Sequence, residues 1–225
     1  MAPRNLPALF SSLARTSSTS PTPTRWTLLR TLKSSNPNDI TGSLHGTAAF
    51  TPLLSTPPGQ AQAQGQGHTD LLYSEEGSLP TSFGPGLRWT KKYIWRLSDE
   101  GRISVWFVKV DKSYNEGEEE ADYLFHEFDF TTDPDSGSAL ALEGEQADAE
   151  FVTPPIPPEI GPDTETNTRI VAARGNHLCI NDMYRTAYAF RVAEESGEVL
   201  SWASRHVVKG PKKGQDIVNL YSRDL

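Results

Sequence analysis

The 225-residue chain carries one cysteine, Cys179, and two methionines. A lone cysteine excludes an intramolecular disulfide framework and a multi-cysteine zinc site, and it suits a reducing compartment. Long apolar runs are lacking too. The longest in the body of the chain is Val105–Val108, far short of the ~18 residues that a membrane-spanning helix needs, so a soluble protein with no membrane span is expected. The common core residues are also scarce. Leu, Ile, Val and Phe together make 48 of 225 residues, about 21%, close to the ~20% below which chains tend to stay unfolded. Five Trp and seven Tyr point the other way, because large aromatic rings are what disordered segments lack. The composition therefore describes a real core diluted by polar insertions. An excess of positive charge is missing as well, the formal net charge being −8.

Three stretches account for the dilution, at 55–68, 111–121 and 133–167. The first is Gln/Ala/Gly repetition, the second is acidic, and the third mixes acids, Ser and Gly with Pro154-Pro155 and Pro157-Pro158. None can bury enough apolar surface to offset its chain entropy, so all three are expected to be disordered. Asn115–Asp122 holds five acids and Asp133–Thr166 nine, with no Lys or Arg in either. Without them, 15 acids face 21 bases, or +6. An acidic total charge thus does not exclude an anionic ligand, and the acidic loops offer a surface to a protein partner.

Residues 1–24 form a separate tail ahead of one domain at 25–225. From Met1 to Asn38 there are five basic residues and no acid, the composition of a mitochondrial transit peptide. The competing reading is structural, since Leu6, Leu9, Phe10 and Leu13 share one helical face and can cap the end of a barrel. A cytoplasmic protein is expected, with a mitochondrial one as the alternative.

The rest of the chain alternates with period two. In Leu87–Leu97 one face carries Leu87, Trp89, Tyr93, Trp95 and Leu97, with Lys91 the exception, and the other carries Arg88, Thr90, Lys92, Ile94 and Arg96. Nine similar runs bring the count to ten: Trp26–Lys33, Gly42–Phe50, Asp70–Leu79, Arg102–Val110, Tyr123–Phe130, Arg169–Cys179, Met183–Val192, Glu198–Val208 and Gln215–Arg223. No long amphipathic helix separates them, which leaves antiparallel pairing. The expected fold class is all-β, an antiparallel up-and-down barrel of about ten strands, lipocalin or fatty-acid-binding-like, because closure removes both sheet edges. At this strand number the interior can hold a ligand as well as side chains.

Tyr93-x-Trp95-Arg96, Phe125-His126, His177-Leu178-Cys179 followed by Asp182-x-Tyr184, Trp202, Gly210-Pro211-x-Lys213 and Tyr221-x-Arg223 occur here in an order and spacing that resembles a family of bacterial and fungal proteins, the domain-of-unknown-function family 6314. The resemblance runs from Trp26 to Arg223 without the insertions. It implies a calycin-like barrel and brings no activity with it.

Polar residues on apolar faces mark the candidate site. Tyr221 and Arg223 lie two apart on the last strand, where a phenol and a guanidinium can grip a carboxylate or phosphate. His126 is read on the same face as Leu124, Phe128 and Phe130, where a histidine is unexpected unless bonded or functional. His177 and Cys179 are ~7 Å apart along one face, with Tyr184 near them in sequence. Should His126, His177 and Cys179 meet, they form a metal or haem ligand set. More often such a histidine is hydrogen-bonded beside an inert core cysteine. Lys209–Gly214 is basic and could hold a phosphate, but it reads better as a solvated hairpin tip. Nucleic acid is excluded as a partner because most aromatics point inward.

The reading that follows is a barrel binding a small, anionic, partly apolar molecule. His126, His177 and Tyr184 would hydrogen-bond it, Arg205 or Arg223 with Tyr221 would neutralise it, and Trp95 and Trp202 would pack on it. One alternative is a barrel enzyme, isomerase or hydrolase, haem- or metal-dependent or not, using His126 or His177 as base. The other is a non-catalytic interaction scaffold. The sequence names no cofactor.

Overall fold

A computed structural model describes residues 6–15, 24–53, 68–110, 119–130, 151–161, 166–211 and 213–223. Of the expected insertions, 55–67, 111–118, 133–150 and 162–165 lie outside the described residues, as does Lys212 of the basic turn. One helix, α1 (Leu6–Leu13), precedes ten strands: β1 (Arg25–Ser34), β2 (Gly42–Leu53), β3 (His68–Ser78), β4 (Arg88–Ser98), β5 (Ile103–Val108), β6 (Ala121–Phe130), β7 (Thr168–Cys179), β8 (Asp182–Ala193), β9 (Val199–Lys209) and β10 (Gly214–Arg223). Each strand pairs antiparallel with its sequence neighbours, and β1 pairs with β10 from Trp26↔Arg223 to Ser34↔Gln215. The sheet is a closed ten-stranded barrel, as the alternation implied. No described helix is long and apolar enough to cross a membrane.

Alternate residues of each strand point inward because the pleat has period two. At one end they pack solid: Trp26, Leu28, Phe50, Leu97, Ile103, Phe128, Phe190 and Val199 are all buried. α1 closes that end with Leu6, Leu9, Phe10 and Leu13. Ser12 Oγ accepts a hydrogen bond from the Val199 amide at 2.9 Å, and Trp26 Nε1 donates to the Leu13 carbonyl at 3.3 Å.

A bulge alters β6. Val105 pairs with His126 but Trp106 pairs with Leu124, so Phe125 is an extra residue with no partner on β5. Such an insertion reverses which face each residue takes on its two sides. Leu124 therefore does not share the inner face with His126, as simple alternation had it, and Phe125 and His126 both turn towards the interior. Across the next seam, β6 to β7, Asp129 pairs with Arg174 and Phe130 with Ala173.

Within the third expected insertion, residues 151–161 are described, and they lie against the outside of the barrel. Arg191 donates to the carbonyls of Pro157 and Pro158 at 3.3 and 3.1 Å, and Ser201 Oγ donates to Pro158 at 2.6 Å. The expectation of disorder is thereby revised for this part. Four prolines fix φ in advance, which lowers the entropy cost of ordering the segment. Lacking N–H groups, they present only acceptors, and an arginine supplies the donors.

The β7–β8 hairpin contains Ile180 at φ 57° with its side chain 88% exposed. A β-branched residue there is strained by contact of Cβ with the carbonyl oxygen, by about 1–2 kcal/mol. Ile180→Gly is expected to raise the midpoint of urea unfolding, since the glycine relieves strain and the exposed side chain loses no packing. An unchanged or lower midpoint counts against a left-handed residue at this turn.

Candidate functional site

The open half of the barrel encloses a cavity of about 130 Å³. Eight of its nineteen lining residues are aromatic: Tyr73, Tyr93, Trp95, Phe125, Tyr184, Tyr188, Trp202 and Tyr221. Into this lining the strands place a connected polar chain. Arg30 and Glu75 form a buried ion pair, with Nη2 of Arg30 at 2.9 and 2.8 Å from the two carboxylate oxygens. Tyr73 donates a short hydrogen bond to Glu75, and the Tyr73 and Tyr221 hydroxyls are 2.9 Å apart. On the other side, Arg30 Nε donates to Asn219 Oδ1 at 2.6 Å, and Asn219 Nδ2 donates to Ser204 Oγ at 2.9 Å. Ser204 Oγ lies 3.2 Å from His206 Nε2.

Two glycines set the position of the arginine. A Cβ at Gly77 would come within 2.6 Å of the Trp89 ring, and one at Gly46 within 3.0 Å. The indole can lie over β2 and β3 because both lack side chains there. The Arg30 guanidinium sits 4.9 Å from the centre of that ring, a cation–π contact that holds it against the wall.

Both cavity histidines are electrically neutral partners. His126 Nε2 is 2.7 Å from the Tyr188 hydroxyl, while its Nδ1 is buried and has no partner among the described residues. His206 Nδ1 and Trp202 Nε1 share that condition. Burial holds the His126 pKa well below the usual value, helped by His206 and His177. Burial, with Arg30 and Lys91 nearby, pushes His206 down to about 3. Lys91 lines the cavity and is half-exposed, with Nζ 3.9 Å from Glu75. Burial and the Arg30 charge lower its pKa, and Glu75 opposes them.

Of the residues named from sequence, His126, Tyr184, Tyr221, Trp95 and Trp202 line this one cavity. Trp202 and Tyr221 stack at 3.5 Å. Three others are placed elsewhere. Arg205 alternates with the inward Ser204 and His206, so it faces outward and pairs with Asp216 at 2.9 and 2.7 Å. Arg223 shares the Tyr221 face but lies further towards the plugged end, where it bonds Glu198 and the Ser12 carbonyl and covers Trp26 at 5.0 Å. His177 stands beside Tyr184, ring centres 6.4 Å apart, outside the cavity lining. Cys179 is exposed at the hairpin, so His126, His177 and Cys179 do not converge, and no described group of three or more His, Cys, Asp or Glu could hold a metal. In the basic turn, Lys213 pairs with Asp182 at 2.8 Å and donates to the Tyr184 hydroxyl at 3.0 Å. In the second insertion, Glu119 and Glu120 are bound by Lys92 and Lys109.

Arg30, Glu75, Ser204, His206 and Asn219 are absent from the candidate site that the sequence suggests, and Lys91 enters there only as the exception on an apolar face. The signal for Arg30 and Glu75 was present. Trp26-x-Leu28-x-Arg30 and Leu71-x-Tyr73-x-Glu75 each end an apolar alternation on a charge, the same criterion that picked out His126.

Fold and site together define a closed antiparallel barrel, plugged at one end by a helix, with an aromatic and polar cavity in its open half. Within that class, the chain belongs to a family of unknown function (DUF6314), whose model matches residues 23–145 and 162–223. No curated protein and no solved structure matches the chain.

Proposed function

We propose that the barrel binds a small, anionic, partly apolar molecule in its cavity. The observation that carries this reading is the charge inside. Arg30 and Lys91 face a single carboxylate, Glu75, and both histidines are held neutral by burial. The cavity thus carries one positive charge in excess, surrounded by aromatic walls. Arg30 is already engaged on Glu75 and Asn219, whereas Lys91 lies beyond hydrogen-bonding distance of the carboxylate. An incoming anion would find its partner there, and its apolar part would replace solvent against the rings.

An enzymatic reading has less support. A general base working near neutral pH needs a pKa near 7, and both cavity histidines lie below that. Native mass spectrometry of protein purified from its source, together with a thermal-shift panel, tests the binding reading. A retained organic anion, or stabilisation that grows with the concentration of an anionic ligand, is the expected result. A barrel that is always empty and is stabilised by no anion in the panel overturns it.

A further inference from the structure

The cavity also constrains what kind of anion it takes, an argument that rests on the binding reading above. Size comes first. An apolar cavity of about 150 Å³ holds one benzene molecule, and this one, open at the barrel mouth, has about 130 Å³ within its walls. An acyl chain could not continue downward, because Trp95, Trp202 and Phe128 fill the barrel below and α1 closes the end. The walls come second. Tyr93 and Phe125 are stacked with ring centres 5.6 Å apart and planes 14° from parallel, so they present the flat faces and edges that favour another aromatic ring.

The third constraint is a defined hydrogen-bond polarity. Arg30 Nε can only donate, so the Asn219 atom facing it is the carbonyl oxygen. Asn219 then turns its NH₂ to Ser204, whose oxygen accepts. Ser204 keeps its proton and a second lone pair for His206 Nε2, 3.2 Å away. A neutral imidazole accepting at Nε2 carries its hydrogen on Nδ1. In the tautomer that accepts the Ser204 proton, His206 Nδ1 is a donor, and it has no partner among the described residues. Arg30 sets the direction of the chain as far as Ser204.

We infer that the ligand is a planar aromatic or heteroaromatic monocarboxylate of one ring. Its carboxylate takes Lys91 as counter-ion and the His206 Nδ1–H as neutral donor, and its ring packs on Tyr93 and Phe125.

Titration of the full chain with benzoate, benzamide and dodecanoate, followed by quenching of tryptophan fluorescence, tests this. Benzoate is expected to bind, with neutral benzamide about tenfold weaker or more, the loss of one charge-assisted contact. Lys91→Met, at a half-exposed position, is expected to weaken benzoate by about tenfold and to leave benzamide unchanged. Dodecanoate binding in preference to benzoate, or benzoate binding that ignores Lys91, overturns the inference while the wider binding reading stands. No saturable response to either acid counts against both. ¹⁵N NMR of the histidine ring should find His206 protonated at Nδ1; protonation at Nε2 removes the donor argument.

Discussion

Glu75→Gln is expected to destabilise the barrel by about 3–5 kcal/mol, the cost of leaving a buried charge without its partner. The side chains of Arg30 and Glu75 are only 7% and 1% exposed, and the guanidinium holds both carboxylate oxygens. The amide would keep the shape of the carboxylate but not its charge, and Arg30 would remain against the Trp89 ring. Replacing the pair together, Arg30→Met with Glu75→Leu, is expected to recover most of the loss, because neither charge then has to be desolvated. Urea unfolding of the two single variants and the double variant forms the cycle that separates the pair from its surroundings. A Glu75→Gln protein within about 1 kcal/mol of wild type would mean that the pair is solvated and not the buried contact described here.

The double variant also separates stability from the proposed ligand selection. It leaves Lys91 in place, so the excess charge of the cavity survives. Asn219, however, loses the donor that orients its amide. The bond from Asn219 to Ser204 is then no longer fixed in direction. The ion pair at the centre of the cavity thus gives direction to its neutral neighbours Asn219 and Ser204.

The strands were legible from the sequence because each exposes one face to water and buries the other. Leu87–Leu97 was read where β4 runs Arg88–Ser98, and Tyr123–Phe130 where β6 runs Ala121–Phe130. Periodicity fails where an extra residue enters, as Phe125 does, since a bulge has no signature in the alternation itself. The site was legible in part for the same reason. Parity says which residues share a face but not which face is inside, so Arg205 was drawn into a site it turns away from. Nor does parity give depth: Arg223 sits beside Tyr221 in the sequence but at the plugged end of the barrel. Arg30 and Glu75 meet across β2, from strands that are not paired to each other. A contact of that kind depends on barrel curvature and not on register.

The second large effect is an acid-induced loss of stability. His126 and His206 both have folded-state pKa values below their ordinary value of 6.5, that of His206 reaching about 3. Their neutral forms are retained in the folded barrel while the unfolded chain takes up protons. The unfolded state therefore binds more protons than the folded one at all pH values between these limits, and stability falls as pH falls. Above pH ~6.5 the two rings contribute nothing to the slope; below it His206 adds about 1.4 kcal/mol per pH unit until its folded-state value is reached, and His126 adds to the slope in the same direction. One such ring alone costs a sizeable share of the ~5–15 kcal/mol that holds most domains folded over about two pH units. Unfolding free energies measured in urea between pH 7.5 and 4.5 check the slope, and His206→Asn is expected to reduce it by about 1.4 kcal/mol per pH unit. Arg30 and Lys91 lower the pKa of His206, and His206 and His177 that of His126, so the charges named around both rings are cationic. A slope that persists unchanged in both His206→Asn and His126→Phe would assign the acid sensitivity to carboxylates instead, Asp39 first among them, since its bonds to Ser34 and Gln215 lower its pKa. In the intact barrel at neutral pH the same physics keeps both imidazoles uncharged, so the positive charge offered to a ligand is that of Lys91.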